Sequence, residues 1–316
     1  MLSRQDFLRL LERHGPMVID GALATELESR GYDLNHSLWS AKILEEDPMV
    51  IKQVHLDYFL AGANFAITAS YQASAAGFAE HLNLNEEKAT ALIKRSAMLA
   101  RLAVEEAYGQ TVRRDVPLLV AGSVGPYGAY LADGSEYRGD YQLSKSGFQN
   151  FHRARIRALV DAEVDLLAIE TMPQVHEIEA VLELLRDEFS TTTAWVSCTL
   201  KDSQHISDGT SLVELAKLLQ AHRERVLAFG FNCISADLAT DALQHLTGQL
   251  DVPLLVYPNS GEKWDAQTNT WSSSSSGPLD FGQLARHWQQ HGAGLIGGCC
   301  RTTPTDIIAI SQALKR

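Results

Sequence analysis

The sequence predicts an α/β protein built as a single (β/α)8 TIM barrel. Three observations indicate this fold: eight short apolar runs recur along the chain, helical stretches separate them, and polar residues gather where the runs end. Continuous apolar runs are typical of parallel strands that are buried on both faces. Eight alternations of strand and helix over 316 residues therefore predict one closed barrel.

The predicted strands are rich in aliphatic and β-branched side chains. In chain order they cover residues 17–21, 65–70, 117–123, 165–171, 194–199, 226–233, 253–259 and 294–299. Helices are predicted between them, over 48–61 ending at Gly62, 86–108 ending at Gly109, 148–162 and 212–222. A further helix precedes the first strand, because Ser3 with Asp6 resembles a capping box and Gly15 would end it.

Composition restricts the possible classes of protein. The chain is 45% hydrophobic and 21% charged, and no linker or change of composition divides it, so we expect residues 1–316 to form one domain. A net charge of −12 without a basic stripe argues against a nucleic-acid partner. No apolar run reaches the roughly 18 residues of a membrane span. We expect a cytoplasmic protein that acts on small molecules.

The run Gly297-Gly298-Cys299-Cys300 ends the predicted eighth strand, and Cys233 ends the predicted sixth. Strand ends of a barrel meet at one mouth, and thiolates are soft ligands suited to Zn²⁺. The two glycines would let the backbone turn, so that both neighbouring thiols face one ion. Three thiols leave a fourth position open, which favours a catalytic site over a structural one. Cys198, in the middle of the fifth strand, is interpreted as a small buried hydrophobe.

The number of cysteines also indicates their redox state. Four cysteines in 316 residues do not form a disulfide framework. Cys299 and Cys300 are sequence neighbours and poorly placed to bridge each other. We therefore expect thiols that are free to bind metal.

Two acids, Asp20 and Glu170, end the predicted first and fourth strands. A carboxylate in the barrel mouth can bind a cationic group such as an α-ammonium. Each acid could instead cap the helix that follows it. Paired carboxylates are also typical of retaining glycoside hydrolases, but three cysteines in the same mouth argue against that chemistry.

Several aromatic residues lie in or near loops at the predicted strand ends. They are Trp39, Tyr71, Tyr127, Tyr130 and Tyr257. Aromatic faces attract onium cations, although each ring could equally serve packing. The loop over residues 125–141 is long, aromatic and acidic, which is typical of a lid that faces substrate.

These features together resemble the homocysteine S-methyltransferase family of zinc barrels over nearly the whole chain. The resemblance lies in Asp20-Gly21-Ala22-Leu23-Ala24-Thr25-Glu26-Leu27, His55-Leu56-Asp57-Tyr58, Ala61-Gly62-Ala63-Asn64, Thr68-Ala69-Ser70-Tyr71, Gly122-Ser123-Val124-Gly125-Pro126, Glu170-Thr171, Asn232-Cys233, Tyr257-Pro258-Asn259 and Gly297-Gly298-Cys299-Cys300. Through residues 125–137 the chain resembles in particular the bacterial enzymes that use S-methylmethionine or S-adenosylmethionine as methyl donor.

The resemblance implies that Cys233, Cys299 and Cys300 hold Zn²⁺, with the homocysteine sulfur as the entering ligand. It also implies that Asp20 and Glu170 hold the ammonium of the amino acid. The candidate catalytic and metal-binding residues are thus Cys233, Cys299 and Cys300, and the candidate substrate-binding residues are Asp20, Gly21, Trp39, Ser70, Tyr71 and Glu170. The expected reaction forms methionine from homocysteine and a sulfonium donor.

Two alternatives remain open at the level of sequence. A structural or sensory zinc site would make the chain non-enzymatic, although such a site normally has four protein ligands. Betaine or a folate could replace the sulfonium compound as methyl donor.

Overall fold

The computed structural model describes residues 1–34, 36, 38, 40–110, 116–265, 270–272 and 279–314. All eight predicted barrel strands are present in it. They are β1 Met17–Val18, β2 Phe65–Ile67, β3 Leu119–Val124, β4 Leu166–Met172, β5 Ala194–Cys198, β6 Val226–Asn232, β7 Leu254–Tyr257 and β8 Ala293–Ile296.

The eight strands form one parallel sheet that follows the order of the chain. Each strand pairs with the next from β2 to β8, and β8 pairs with β1 through Met17 with Leu295 and Val18 with Ile296. An isolated parallel bridge between Ile19 and Phe65 joins β1 to β2. This bridge completes the circle and confirms the predicted (β/α)8 barrel.

Thirteen helices lie in the part of the chain that the structure describes. They are α1 Arg4–His14, α2 Leu23–Ser29, α3 Ser40–Glu46, α4 Pro48–Ala61, α5 Ala75–Leu82, α6 Glu86–Gln110, α7 Tyr127–Leu131, α8 Lys145–Asp161, α9 Val175–Glu188, α10 Leu212–Ala221, α11 Ala236–Leu246, α12 Phe281–Gln290 and α13 Pro304–Leu314. Within the described residues, none of these helices is both long enough and apolar enough to span a bilayer.

The helix boundaries test the capping predictions. Ser3 accepts a hydrogen bond from the Asp6 N–H and Gly15 ends α1, as predicted. Gly62 ends α4 in the left-handed conformation with φ of 109°. The predicted stop at Gly109 is wrong, because α6 continues to Gln110. Gly109 has no positive φ, and a helix tolerates a glycine that keeps helical backbone angles.

Several small elements were not predicted. Short antiparallel hairpins pair Leu200–Asp202 with His205–Ile206 and Lys263–Asp265 with Thr270–Ser272. The segment 125–141, expected as an irregular lid, contains α7 and a single turn of 3-10 helix over Ser135–Tyr137.

The amino-terminal end of the barrel is closed by α1. Phe7 is fully buried in the same apolar cluster as Phe65 and Trp195, which fill the barrel interior. The backbone of Leu2 is hydrogen-bonded to Asp165 and Thr193, which directly precede β4 and β5. The barrel interior is therefore closed at its amino-terminal end, and its carboxyl end, where barrels of this architecture form their ligand sites, remains open.

Candidate metal and substrate site

A cavity of about 1010 Å³ opens at the carboxyl end of the barrel. The ends of six strands and the segment 125–141 contribute to its wall. Its lining includes Asp20, Gly21, Thr68, Tyr71, Glu136, Tyr137, Glu170, Thr171, Asn232, Cys233, Tyr257, Gly298, Cys299 and Cys300. The polar residues predicted at the strand ends thus come together at one site.

The structure brings the three predicted metal ligands into one cluster. The sulfur atoms of Cys233, Cys299 and Cys300 all lie within 4.8 Å of one another. The Sγ atoms of Cys233 and Cys300 are 3.8 Å apart. Tetrahedral Zn²⁺ with Zn–S bonds of about 2.3 Å holds two sulfurs about 3.8 Å apart, so this donor set fits the ion.

The free thiols expected from the sequence are found for Cys198 and Cys300 but not for the other two cysteines. Cys233 and Cys299 are joined as a disulfide, with their Cα atoms 5.5 Å apart. The bond forms between two sulfurs that the fold places at one point. It must be reduced before these sulfurs can bind a metal, because thiolates are the ligating form.

The backbone around the cysteines is held by the loop that follows β7. The Asn259 side chain accepts a hydrogen bond from the Cys300 N–H at 3.1 Å, and the Pro258 carbonyl accepts one from the Cys299 N–H at 2.8 Å. Cys233 adopts the left-handed conformation, with φ of 54°. Non-glycine residues rarely adopt this conformation, which turns the chain directly after β6.

Gly297 and Gly298 are needed for a different reason from the one predicted. Neither has a positive φ, and the left-handed turn falls instead on Arg301, with φ of 67°. A Cβ atom on Gly297 would lie 2.6 Å from the Ile19 Cβ, and one on Gly298 would lie 2.3 Å from the Thr302 Oγ1. Gly297 therefore permits close approach to the chain that follows β1, and Gly298 permits close approach to Thr302, rather than a special backbone turn.

Asp20 and Glu170 are both buried in the cavity wall. One Asp20 oxygen accepts a hydrogen bond from the Ile67 N–H at 2.9 Å. Glu170 accepts hydrogen bonds from the Ser123 hydroxyl and, at 3.1 Å, from the Tyr257 hydroxyl. Neither acid caps a helix, since α2 and α9 lack any side-chain cap.

Burial raises the pKa of both acids. Burial removes water from Glu170 and raises its pKa to about 7. The hydrogen bonds from Ser123 and Tyr257 and the charge of Arg155 lower the pKa but do not offset this effect. The pKa of Asp20 is raised well above its usual value, by burial first and also by the nearby charge of Glu170. A cation bound between the two carboxyl groups would offset both effects.

Some of the other predicted site residues line the cavity and some do not. Gly21 and Tyr71 line the cavity, whereas Ser70 does not, because its buried hydroxyl donates to the Ser123 carbonyl at 2.8 Å. Trp39 lies outside the described residues. Tyr127 and Tyr130 are not in the lining and pack against Phe151, whereas Tyr257 is in it.

A buried network behind the cavity was missed by the sequence analysis. The guanidinium of Arg155 donates to the carbonyl oxygens of Tyr71 and Gly125, each at 2.6 Å, and contacts His152. His152 in turn contacts Glu177, which accepts a hydrogen bond from the Tyr127 N–H at 2.6 Å. Phe148, His152 and Arg155 recur at helical spacing on the buried face of α8, which is the signal that could have identified them.

The carboxylates in the described lining of the cavity are not balanced by lysine or arginine side chains. Its described lining contains five acids, which are Asp20, Glu28, Asp33, Glu136 and Glu170. It contains neither lysine nor arginine among the residues that the structure describes. Such a cavity raises the local concentration of cationic ligands and disfavours anionic ones.

Comparisons with known proteins agree with this geometry. The family model described as homocysteine S-methyltransferase matches residues 17–314. The chain is 54% identical to a homocysteine S-methyltransferase of Escherichia coli strain K12, over 98% of this chain and 99% of the relative. It also resembles crystal structures of an Escherichia coli homocysteine methyltransferase in a metallated form and an oxidized form. The metallated form is 51% identical, with a TM-score of 0.87, and the match covers 96% of this chain and 98% of the other. The oxidized form is 52% identical, with a TM-score of 0.87, and the match covers 97% of this chain and 99% of the other.

Proposed function

Because the chain belongs to the homocysteine S-methyltransferase family and is a methyltransferase, we propose that it moves a methyl group from a sulfonium donor to the thiol of L-homocysteine. The donor is S-methylmethionine or S-adenosylmethionine, and the product is methionine. The three clustered thiols carry this proposal, because they are suited to hold Zn²⁺ in a cavity that favours cations.

The donor set supports Zn²⁺ as the metal. Three thiolates are soft ligands, and the 3.8 Å between the Cys233 and Cys300 sulfurs suits a tetrahedral ion. Without a cation, burial raises the pKa of the Cys300 thiol to about 12. A bound Zn²⁺ would keep its cysteine ligands and a coordinated substrate thiol deprotonated, and the thiolate is the nucleophilic form of sulfur.

Asp20 and Glu170 are proposed to hold the amino-acid end of homocysteine. One Glu170 oxygen accepts a hydrogen bond from the Ser123 hydroxyl and the other accepts one from the Tyr257 hydroxyl, so the carboxylate is fixed in position. The α-ammonium would form charge-assisted hydrogen bonds to both acids and would lower their raised pKa values. Tyr71 and Gly21, which also line the cavity, complete this part of the proposed subsite, and Ser70 and Trp39 remain predictions.

In the proposed reaction the homocysteine thiolate attacks the methyl carbon of the sulfonium in line. A new carbon–sulfur bond forms as the old one breaks, and the bonding electrons pass to the donor sulfur, which becomes a neutral thioether. Positive charge is lost in this step, so removal of water from the cavity favours it. Residues 125–141 contribute Glu136 and Tyr137 to the wall and would exclude water there.

The charge of the cavity supports a sulfonium donor over the alternatives. A folate carries carboxylates that five lining acids would repel, whereas S-methylmethionine and S-adenosylmethionine carry a net positive charge. Betaine has a cationic end but no net charge. A purely structural or sensory role for the metal is not favoured, since only three thiols surround the site and the relatives are methyltransferases.

The proposal also covers the domain organisation, the partners and the location of the protein. Residues 1–316 would act as one homocysteine-binding barrel domain, without nucleic acid or membrane as partner. The cytoplasm is the proposed location, because a reducing compartment would keep Cys233 and Cys299 available as thiols.

Parallel assays of methionine formation test the donor. Reduced, zinc-loaded protein would be given homocysteine with S-methylmethionine, S-adenosylmethionine, betaine or a methylated folate. We expect turnover with one or both sulfonium donors and little with the other two. Absence of turnover with every donor from fully metallated protein would contradict the proposed reaction.

Metal analysis tests the ligands. The variant Cys300→Ser should lose bound zinc and methyl transfer, since a serine hydroxyl is a poor Zn²⁺ ligand. Cys198→Ala is the matched control, because Cys198 is a buried cysteine outside the cluster and should leave one zinc per chain. A Cys300→Ser protein that keeps zinc and activity would remove Cys300 from the ligand set.

A further inference from the structure

Glu136 lines the cavity, and one buried oxygen of its carboxylate has no hydrogen-bond partner in the described part of the chain. Its Oε2 is the one buried carboxylate oxygen without a hydrogen-bond partner among the residues that the structure describes. Leaving a buried acceptor unpaired costs free energy, and native proteins keep few such groups outside functional sites. The position of this oxygen in the cavity wall indicates that a ligand supplies the missing donor.

The backbone around Glu136 is held from several sides. The Thr199 hydroxyl at the end of β5 donates to the Glu136 carbonyl at 3.0 Å. Asp133 accepts a hydrogen bond from the Ser135 N–H at 2.9 Å. Gly128 of α7 packs so closely that a Cβ there would lie 2.6 Å from the Glu136 nitrogen. The carboxylate is therefore part of a built wall rather than of a free surface loop.

Glu136 is separate from the residues proposed to hold homocysteine. Asp20 follows β1 and Glu170 lies near the carboxyl end of β4, whereas Glu136 belongs to the segment 125–141. It nevertheless lines the same cavity as Cys300, Tyr71 and Tyr137. A group bound to Glu136 would thus lie in the same cavity as a ligand at the thiol cluster.

We propose that Glu136 binds the α-ammonium of the methyl donor and thereby selects sulfonium compounds that carry an amino acid. This inference rests on the proposed function and adds a specificity-determining residue to it. An unpaired acceptor oxygen requires an N–H or O–H donor, which an ammonium has and a sulfonium centre lacks. The quaternary nitrogen of betaine also has no N–H, so Glu136 would distinguish amino-acid donors from betaine by hydrogen bonding.

The test compares two donors that differ only in the group that Glu136 would bind. One is S-methylmethionine, and the other is its deaminated analogue, (3-carboxypropyl)dimethylsulfonium. Glu136→Gln keeps the shape of the side chain and removes its charge. Asp140→Asn is the matched control, since Asp140 is an exposed acid of the same segment that pairs with Arg138 at 2.9 Å.

We expect Glu136→Gln to lower kcat/KM for S-methylmethionine by about tenfold to hundredfold, the range of a charge-assisted hydrogen bond. The loss should appear mainly in KM for the donor, with KM for homocysteine nearly unchanged. The deaminated donor should react equally slowly with the wild-type protein and with Glu136→Gln. Asp140→Asn should resemble the wild-type protein with both donors.

Equal losses with both donors, or a loss confined to KM for homocysteine, would overturn the role of Glu136. Calorimetric binding of S-methylmethionine to wild-type protein and Glu136→Gln provides a readout that does not need turnover. If the wild-type protein binds the donor but transfers no methyl group, the proposed function fails while the binding difference still tests Glu136. Equal affinity of the two proteins for S-methylmethionine would contradict the inference.

Discussion

Asn232 and Thr171 are joined by two hydrogen bonds across the carboxyl end of the barrel. The Thr171 N–H donates to the Asn232 Oδ1, and the Asn232 Nδ2 donates to the Thr171 Oγ1, each at 2.8 Å. The two residues belong to β4 and β6, which are separated by β5. Thr171 directly follows Glu170 and Asn232 directly precedes Cys233, so this pair connects the proposed ammonium subsite to the thiol cluster.

Loss of this pair is expected to disturb both parts of the site. Asn232→Ala would leave the buried Thr171 N–H without its partner, at a cost of about 1–3 kcal/mol in the free energy of unfolding. We also expect zinc affinity to fall about tenfold or more, as for other residues that orient a ligand. Urea unfolding and competition with a chelator measure the two effects. Thr171→Ser retains the hydroxyl and should change neither, whereas wild-type zinc affinity in Asn232→Ala would refute the coupling.

Homocysteine binding should strengthen as the pH rises through about 7. Burial raises the pKa of Glu170 to about 7, and only its ionised form can pair with an ammonium. Below that pH the carboxyl is protonated, so KM for homocysteine should increase by up to about tenfold per pH unit. Glu170→Gln should bind homocysteine weakly and lack this pH dependence of KM between pH 5.5 and 7. An unchanged profile in Glu170→Gln would assign the ionisation to another group.

The same carboxyl should lower the stability of the unliganded protein at high pH. A folded-state pKa above the ordinary value of 4.5 means that the folded state binds the proton more tightly than the unfolded state. The free energy of unfolding therefore falls as the pH rises from about 4.5 to 7. Glu170→Gln should be more stable than wild type at pH 8, by at most about 3 kcal/mol, and should gain little at pH 4.5.

Urea unfolding of reduced, metal-free protein at the two pH values measures this difference. Glu105→Gln, an exposed position on α6, is the control and should give no pH-dependent gain. A Glu170→Gln protein that is no more stable than wild type at pH 8 would contradict this prediction. It would show that hydrogen bonds and nearby charges fully offset the cost of burying the Glu170 carboxylate.

Gly297→Ala should separate β8 from β1. Its Cβ would lie 2.8 Å from the Ile19 carbonyl oxygen and 3.0 Å from that of Asp20, and backbone cannot move aside as a side chain can. We expect a loss of about 1–3 kcal/mol in the free energy of unfolding and reduced methyl transfer. Gly294→Ala, three residues earlier within β8, is the control, because its Cβ would meet side-chain atoms at 3.3 Å or more. Equal unfolding midpoints for the two variants would contradict the close-approach argument.

The arrangement of the barrel could be predicted from the sequence because burial on both faces leaves a continuous apolar run for each strand. The ends of the strands could not be predicted as well. Residues 17–21 were expected as one strand, yet β1 covers only Met17–Val18 and continues as the single bridge at Ile19. Cys233 was expected as the last residue of the sixth strand, but its left-handed backbone places it just beyond β6. Such boundaries depend on long-range hydrogen bonds that a local pattern does not contain.

The thiol cluster and the two acids could also be predicted, because strand ends of a parallel barrel converge. The side chain of Glu136 could not be, since its burial depends on Gly128 and Thr199 packing around its backbone. The bond between Cys233 and Cys299 was likewise beyond the sequence, because 66 residues separate them and only the closed barrel brings them together.

The meeting of β8 with β1 has a consequence for biosynthesis. Cys233 leaves the ribosome 66 residues before Cys299, and Gly297, two residues before Cys299, packs directly against Ile19. A partly synthesised chain therefore holds a single one of the three sulfurs and has little affinity for metal. Binding of a metal by all three sulfurs would then indicate that the polypeptide has closed its barrel.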